Sequence, residues 1–279
     1  MPSQHEARAR PARPRLPARK RWGQHFLANP ETARRIVEAA RIGADDCVLE
    51  VGPGDGALTR FLAEKARVVA AVEIDPLRAE ALAVEFGGHP SVRVFPGDVL
   101  SRPVGDWLRA AGCESEALLV ANLPYNVATP ILFAALEARG VIRRVVATIQ
   151  REVAHRFIAR PRQEAYGYLS VRAASLATGR ILFDLPPGAF RPRPKVTSSV
   201  LELTPRPDLP DPALSRRALT LASLGFNARR KTLANALASA GPRADWESAL
   251  EALGKSPRAR AEELAFEDFL ELARGWRAP

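Results

Sequence analysis

The chain has 279 residues, of which 47% are hydrophobic and 26% are charged, and this composition excludes fibrous and fully disordered proteins. Lysine and arginine number 41 against 31 acidic residues, which gives a formal net charge of +10 and indicates a polyanionic partner. No run approaches the ~20 apolar residues of a membrane span, and Cys47 and Cys113 are too few for a disulfide framework, so we expect a reducing, cytoplasmic location.

Residues 1–20 form a basic tail rich in arginine, proline and alanine. Residues 1–27 carry seven basic and one acidic side chain, and residues 191–233 carry nine and three, so two basic regions flank a neutral body. The tail lacks the apolar stretch that a secretory signal requires. Because it has little to bury, we predict that it is disordered when free. Both a polyanion-binding arm and a solvated tail fit this composition.

Short β-branched runs alternate with amphipathic stretches of helical length between residues 30 and 203. The predicted helices are 30–41, 57–65, 76–86, 130–139, 151–159 and 169–177, and the predicted strands are 48–51, 68–73, 92–95, 118–122, 145–150, 181–185 and 198–203. This alternation is typical of a mostly parallel sheet covered by helices. We therefore predict an α/β domain.

The first predicted strand runs into Gly52, Gly54 and Gly56, and a helix is predicted directly after them. Glycines permit a tight turn and let a ligand approach the backbone at the carboxyl end of a strand. Twenty-one residues after Gly52, the second strand ends at Glu73, whose carboxylate can accept hydrogen bonds from ribose hydroxyls. Together they predict a site for a nucleoside-bearing cofactor.

The spacing of the three glycines and the charge of the residues around them narrow the choice of cofactor. The G-x-G-x-G pattern differs from the G-x-G-x-x-G of dinucleotide-binding turns. Glu50 and Asp55 make the turn acidic, which repels a pyrophosphate but suits the cationic sulfonium of S-adenosylmethionine. Asp98, after the third strand, is placed to bond an adenine amino group, with a turn or cap role as the alternative.

The fourth predicted strand ends in Asn122, Leu123, Pro124 and Tyr125. Adenine N6 is a poor nucleophile because its lone pair is delocalised into the ring. The Asn122 side-chain oxygen and the Leu123 or Pro124 carbonyl can accept both N6 hydrogens and favour tetrahedral geometry as N6 attacks a methyl group. Tyr125 can stack on the base, and a turn with a packed tyrosine is the structural alternative.

Prolines mark the loop before the last strand and the end of the α/β region. In the loop, Arg191, Arg193 and Lys195 offer three cations to phosphates. Four prolines then interrupt residues 204–212. Beyond them only helices are predicted, over 212–224, 229–240, 246–253 and 266–274. The predicted domains are therefore 1–20, 21–204 and 205–279.

Arg229, Arg230 and Lys231 form a second basic cluster at the predicted start of helix 229–240. Cations at this end oppose the helix dipole, so an anionic partner such as RNA would compensate them. A solvated cluster is the alternative. No cysteine or histidine group has zinc-site spacing, so we expect no metal.

Six motifs together resemble the ribosomal RNA adenine N6-dimethyltransferases, and most of all their bacterial small-subunit group. They are residues 23–27, 50–59, 72–76, 122–126, 190–199 and 226–233, in the family's order. The resemblance implies a class I, Rossmann-like, S-adenosylmethionine-dependent methyltransferase domain with a small all-helical C-terminal domain. It further implies dimethylation of two adjacent adenosines in the 3′-terminal hairpin of 16S rRNA, in an immature 30S particle, by a monomeric enzyme.

The resemblance also implies roles for single residues. The cofactor contacts of the family fall on His25, Leu27, Gly52, Glu73, Asp98 and Asn122, with Gly54 in the same turn. Phe190 is placed opposite Tyr125 as a second stacking face for the adenine, and a hydrophobic anchor beside solvated charges is the alternative. Most relatives carry asparagine where this chain has His25, and contact through its backbone or through its side chain both stay open.

Several other functions compete with this hypothesis. Large-subunit rRNA adenine methylation is the nearest, and DNA adenine methylation is more distant. A nicotinamide-dependent oxidoreductase is disfavoured by the glycine spacing and by the sequence at residues 122–125. A non-catalytic RNA-binding assembly factor would not need an intact methyl-transfer site.

Overall fold

The computed structural model describes residues 23–276, and the predicted tail of residues 1–20 lies outside them. Its strands are β1 (Phe26–Leu27), β2 (Cys47–Val51), β3 (Val68–Glu73), β4 (Val92–Pro96), β5 (Ala117–Asn122), β6 (Ile142–Gln150), β7 (Ala177–Leu185), β8 (Phe190–Arg191) and β9 (Ser198–Pro205). Seven of them form one sheet in the order β4-β3-β2-β5-β6-β9-β7, and β1 pairs with β8 in a separate ribbon. The α/β prediction is confirmed.

The helices are α1 (Pro30–Ala39), α2 (Thr59–Ala63), α3 (Pro76–Phe86), α4 (Val104–Ala110), α5 (Ala128–Glu137), α6 (Arg151–Ile158), α7 (Tyr168–Ala174), α8 (Pro212–Asn227), α9 (Leu233–Ala236), α10 (Arg243–Ala252) and α11 (Phe266–Gly275). The side chains of Asn29 and Asp75 cap α1 and α3, each accepting the N–H group two residues further on. Such caps satisfy N–H groups that have no partner within the helix, and a proline in the first turn costs no hydrogen bond there.

Strand direction divides the sheet into two parts. The neighbours from β4 through β6 are parallel, whereas β9 is antiparallel to both β6 and β7. Helices cover both faces of the parallel part, so successive residues of β2 are buried in opposite cores: Val48 in one and Leu49 in the other. Shortening such a residue to alanine costs roughly 2–5 kcal/mol. The two cores therefore fix the strand ends on which the site is built.

The structure adds elements that the sequence did not predict. Helix α4 was missed because Pro103 and Gly105 interrupt its pattern, and two-residue strands such as β1 and β8 are too short to show alternation. The predicted helix 229–240 is wrong in length, because only Leu233–Ala236 is helical there.

The helices that follow Pro205 share a hydrophobic core with two residues of the preceding region, Tyr166 and Val171. The Tyr166 hydroxyl donates to the Leu264 carbonyl at 2.6 Å. The helical unit therefore packs on α7 and the segment before it. The domain division at residue 205 stays a prediction.

Cys47, which begins β2, and Cys113, which follows α4, are joined by a disulfide, and both are buried. The expectation of a reduced protein rested on the low number of cysteines, and this pairing corrects it for the two residues concerned. Their Cα atoms lie 6.1 Å apart, within the usual range for a disulfide. Sequence spacing gave no sign of this, because the two residues are 66 positions apart.

Within residues 23–276, no helix is both long enough and apolar enough to cross a membrane. The same residues contain no group of three or more His, Cys, Asp or Glu side chains that could hold a metal ion.

Candidate active site

The strand order of the sheet reverses beside β2, which has β3 on one side and β5 on the other. At such a point the connections leave on opposite faces and open a crevice at the carboxyl ends of the strands, where α/β sheets bind ligands. Gly52 follows β2 and Asn122 ends β5. A Cβ atom on Gly52 would lie 3.8 Å from the Pro124 side chain. The glycine turn and the Asn-Leu-Pro-Tyr motif therefore meet at this crevice.

The glycine turn has a backbone that L side chains rarely adopt. The φ angles of Gly52, Gly54 and Gly56 are +66°, +61° and +76°. At Gly54 there is also no room for a side chain, because an added Cβ would lie 2.7 Å from the Phe26 ring. The three glycines thus adopt backbone conformations that other residues rarely adopt, as predicted. Strand β1, which contains Phe26, lies directly over the turn.

Glu73 ends β3 and holds the glycine turn in place. Its side chain is 2% exposed, and its two oxygens accept N–H groups from Gly54 at 2.8 Å and from Asp75 at 2.9 Å. Burial raises the pKa of this carboxyl, while the two backbone N–H groups and the nearby Arg78 act in the opposite direction. Each oxygen keeps a second acceptor position, so the ribose contact stays a prediction.

Glu50 lies beneath the same turn and is 1% exposed. Neither carboxylate oxygen has a hydrogen-bond partner of normal geometry among the described residues, although Thr59 lies beside them. Burial, with a smaller contribution from the charge of Glu73, raises the pKa of Glu50 to about 8. The turn is therefore built over a buried carboxyl group whose protonated form is favoured, with Thr59 as its neighbouring hydrogen-bonding residue.

The acidity attributed to Asp55 is offset in the structure. Its carboxylate is paired with the guanidinium of Arg78, which is 1% exposed. That guanidinium also lies 4.1 Å from the centre of the Phe26 ring and 3.8 Å from the Asp75 carboxylate. Because Glu50 is mostly protonated near pH 7, the preference for S-adenosylmethionine rests more on the spacing of the glycines than on the charge of the turn.

Asp98 is exposed at the end of β4 and acts as a cap. One of its oxygens accepts the Leu100 N–H at 2.9 Å, which begins a 3-10 turn over Val99–Ser101. Its second oxygen is unaffected by this bond. A contact with an adenine amino group therefore stays a prediction.

Asn122 is fixed by the segment that precedes α1. Its side-chain Nδ2 donates to the main-chain carbonyl of His25 at 2.7 Å. This bond uses the amide nitrogen and leaves Oδ1 as the acceptor. Of the two carbonyls predicted to assist it, that of Pro124 already accepts the Val127 N–H at 3.1 Å. A carbonyl oxygen can accept two hydrogen bonds, so Pro124 stays a candidate, and the Leu123 carbonyl is the one that we carry into the proposal.

Tyr125 is half-buried, and burial raises the pKa of its phenol. Its hydroxyl lies 2.5 Å from the Ser198 hydroxyl at the start of β9. Its ring is stacked on the His25 ring, with centroids 5.1 Å apart and planes at 27°. The aromatic surface predicted for a base is thus covered by a histidine in this conformation.

Phe190 differs from its predicted placement opposite Tyr125. The residue is 0% exposed and packs in the core that also holds Leu185 and Val200. In the β1–β8 ribbon it pairs with Leu27. In this conformation it offers no face to a base, so its stacking role stays a prediction that requires movement of the ribbon.

Both predicted RNA-binding clusters are exposed. Arg191, Arg193 and Lys195 lie along the loop that leads from β8 to β9. The second cluster, Arg229, Arg230 and Lys231, lies in the turn that follows α8. The cluster lies between the C-terminus of α8, whose dipole stabilises cations, and the start of α9, whose dipole opposes them as predicted.

Sequence reasoning missed three residues of the crevice: Phe26, Arg78 and Ser198. Arg78 had a signal, since it stands three positions after Asp75 on a predicted helix. Phe26 and Ser198 lie within the motifs of residues 23–27 and 190–199, but their contacts with Gly54 and Tyr125 bridge distant parts of the chain and gave no signal in the sequence.

The chain is similar to known proteins over most of its length. The profile of the "Ribosomal RNA adenine dimethylase" family matches residues 15–275. A protein named "Ribosomal RNA small subunit methyltransferase A" from Synechococcus sp. (strain RCC307) is 40% identical over 265 residues, which cover 92% of this chain and 95% of that protein. A protein of the same name from Rubrobacter xylanophilus is 42% identical over 257 residues, with 92% and 94% covered.

Two solved structures extend the comparison. The crystal structure of the 23S rRNA methyltransferase ErmE has a TM-score of 0.69 and 30% identity, covering 89% of this chain and 98% of that one. A dimethyladenosine transferase from Plasmodium falciparum has a TM-score of 0.73 and 24% identity, covering 89% and 96%. The second supports the fold alone.

Proposed function

Because the chain belongs to the ribosomal RNA adenine dimethylase family, we propose that it dimethylates N6 of two adjacent adenosines in the 3′-terminal hairpin of 16S rRNA, using S-adenosylmethionine. The observation that carries this proposal is the Asn122 amide, whose nitrogen is bonded to His25 and whose Oδ1 accepts no hydrogen bond from the part of the chain that the structure describes, beside the glycine turn. Such an acceptor suits the N6 amine of adenine, which must lose conjugation with the adenine ring as it attacks.

The residues of the glycine turn fit S-adenosylmethionine. Glu50 has a buried carboxyl beside Thr59 whose oxygens have no partner of normal geometry within residues 23–276, and Glu73 ends the next strand with spare acceptor positions. Glu73 would hold the ribose and Asp98 the adenine ring, while Glu50, which its raised pKa keeps mostly protonated near pH 7, would ionise more readily beside a bound positive charge. When bound, the cofactor supplies an electrophilic methyl group on its sulfonium. His25, Leu27, Gly52 and Gly54 would complete the contacts.

The chain's own residues prepare the adenine. Asn122 Oδ1 and the Leu123 carbonyl would accept the two N6 hydrogens, which favours a tetrahedral nitrogen as it attacks. No strong general base is needed, because the amine gains acidity only as the bond to carbon forms. Tyr125 would hold the base, with its ring fixed by the hydroxyl contact to Ser198. Phe190 is kept as the proposed second face after movement of the ribbon.

The exposed cations of the protein and its family together support an rRNA substrate. The substrate is proposed to be the small-subunit rRNA of an immature 30S particle in the cytoplasm, bound by a monomer. The exposed cations of the 191–195 loop and of the turn after α8 would contact phosphates. Large-subunit rRNA remains the second candidate, since ErmE, a 23S rRNA methyltransferase, is 30% identical to this chain.

Mapping of modified nucleotides tests the proposal. Purified protein and S-adenosylmethionine are incubated with unmethylated small subunits or with unmethylated large subunits, and the rRNA is digested and analysed by mass spectrometry. We expect N6,N6-dimethyladenosine at two adjacent positions of the 16S 3′-terminal hairpin only. Methylation of 23S rRNA instead would favour the second candidate, and no methylation of either would favour an assembly factor.

A further inference from the structure

His25 connects three parts of the active site. Its main-chain carbonyl accepts Asn122 Nδ2 at 2.7 Å, its ring stacks on Tyr125, and its Nδ1 donates to the Pro192 carbonyl at 2.7 Å. The segment around it is equally close-packed, since a Cβ on Gly23 would lie 2.9 Å from Asn126 Oδ1. We call residues 23–28 the clasp segment, because they join the loops after β5 and β8.

These contacts separate into two kinds. The bond to Asn122 uses only the backbone of His25, so any residue at position 25 can make it. The contacts with Tyr125 and Pro192 use the imidazole ring, so they depend on the side chain. A substitution at position 25 can therefore remove the ring contacts while the catalytic amide keeps its orientation.

The ring lies where the target base is expected. The His25 backbone is bonded to Asn122 while its ring stacks on Tyr125, so this one residue contacts both groups that the target adenine is proposed to meet. An adenine that places N6 at Asn122 Oδ1 and stacks on Tyr125 needs this same space. The ring and the base cannot occupy it together.

We propose that the His25 side chain is a placeholder for the target adenine: its ring covers Tyr125 until the base displaces it, while the His25 backbone continues to hold Asn122. The inference rests on the proposed function. It makes His25 a positioning residue, which sets how readily a base enters without taking part in methyl transfer.

The placeholder would set a threshold for entry of the base. Displacing the ring costs one aromatic contact and one hydrogen bond, and every incoming base must offset that loss. Because this cost is the same for any base, the ring weakens base binding without changing the preference among bases.

The test compares four proteins: wild type, His25→Ala, His25→Asn and the control His155→Ala. Ala removes the ring, Asn replaces it with a flat amide, and His155 is exposed on α6. Methyl transfer is measured on unmethylated small subunits to separate KM from kcat. Equilibrium binding is measured on a synthetic RNA hairpin with two adjacent adenosines, and on the same hairpin with both bases removed.

For His25→Ala we expect a KM for subunits and a Kd for the adenosine hairpin about fivefold to tenfold below wild type, because no ring has to be displaced. His25→Asn should shift the same way and His155→Ala should not shift, whereas a change in kcat of the His25 variants would report on the proposed cofactor contact and not on entry of the base. The abasic hairpin should bind wild type and His25→Ala equally, because no base competes with the ring.

Two outcomes would overturn the inference. If His25→Ala and His25→Asn both bound the adenosine hairpin more weakly than wild type, the imidazole would be a contact for the base. If the Kd for the abasic hairpin changed by the same factor, the effect would come from an altered protein structure and not from competition with a base. Failure of the proposed function is a different result, since wild type itself would then not methylate the subunits.

Discussion

The Glu73 carboxylate accepts the N–H of Gly54 at 2.8 Å, which ties the end of β3 to the turn that follows β2. One side chain thus shapes the glycine turn and ends in the position expected to hold a ribose. Its second oxygen does the same for Asp75, the cap of α3. Any loss of Glu73 therefore affects the geometry of the turn as well as the binding of the cofactor.

Replacing Glu73 with alanine should weaken S-adenosylmethionine binding at least tenfold, because hydrogen bonds to a charged group contribute about 1.5–3 kcal/mol each. Calorimetry without RNA measures this directly. The matched control is Glu80→Ala, an exposed position on α3, which should bind as wild type does. An unchanged affinity for Glu73→Ala would refute the ribose role.

Replacing Asn122 with alanine should lower the rate of methyl transfer about a hundredfold and leave RNA affinity within about threefold of wild type. The lost acceptor acts on the reacting amine, so its contribution is greatest in the transition state. Single-turnover kinetics with saturating cofactor isolate the chemical step. If that step keeps its wild-type rate and only cofactor affinity falls, Asn122 is a binding residue alone.

Much of this site could be predicted from local sequence, because strand ends, glycines and polar residues stand in a fixed order along the chain. Gly52, Glu73 and Asn122 lie at the carboxyl ends of neighbouring parallel strands, as the βαβ pattern requires. The stacking of His25 on Tyr125 was not predictable, since it joins residues 100 positions apart. The burial of Phe190 likewise depends on contacts between distant residues, because it requires the pairing of β1 with β8.

Glu50 should make stability depend on pH. Burial raises its pKa from 4.5 to about 8, so the folded protein keeps a proton that the unfolded chain loses above pH 4.5. The stabilisation from the protonated form is complete below pH 4.5 and is lost as pH rises through 8, by up to about 1.4 kcal/mol per pH unit. Glu50→Gln cannot ionise and should lack this loss.

Urea unfolding of both proteins from pH 5 to pH 9, without cofactor, measures the difference. The free energy of unfolding of Glu50→Gln relative to wild type should increase steadily over the range from pH 5 to pH 8. Glu80→Gln, an exposed position, should follow wild type at every pH. A constant difference between Glu50→Gln and wild type would mean that Glu50 is already ionised at pH 5.

RNA binding should depend steeply on salt, and more through the turn after α8 than through the tail. Each phosphate neutralised by a cation contributes about 0.7–0.9 to the slope of log K against log salt. Arg229, Arg230 and Lys231 stand on a folded turn, whereas the predicted tail of residues 1–20 would have to be ordered on binding, which costs entropy. Changing these three to alanine should therefore reduce the slope by about two, leaving S-adenosylmethionine affinity unchanged.

The matched control removes three exposed cations that precede strands and so lie near the opposite edge of the sheet: Lys65, Arg109 and Arg139. Because the net charge falls equally in both triple variants, a general loss of attraction would lower both slopes alike, whereas contact with RNA lowers only the first. Deleting residues 1–19 should have a smaller effect at moderate salt, since the clasp segment and both loops remain. If the first triple variant keeps the wild-type slope and the deletion abolishes binding, the tail is the RNA-docking element and the turn after α8 is not.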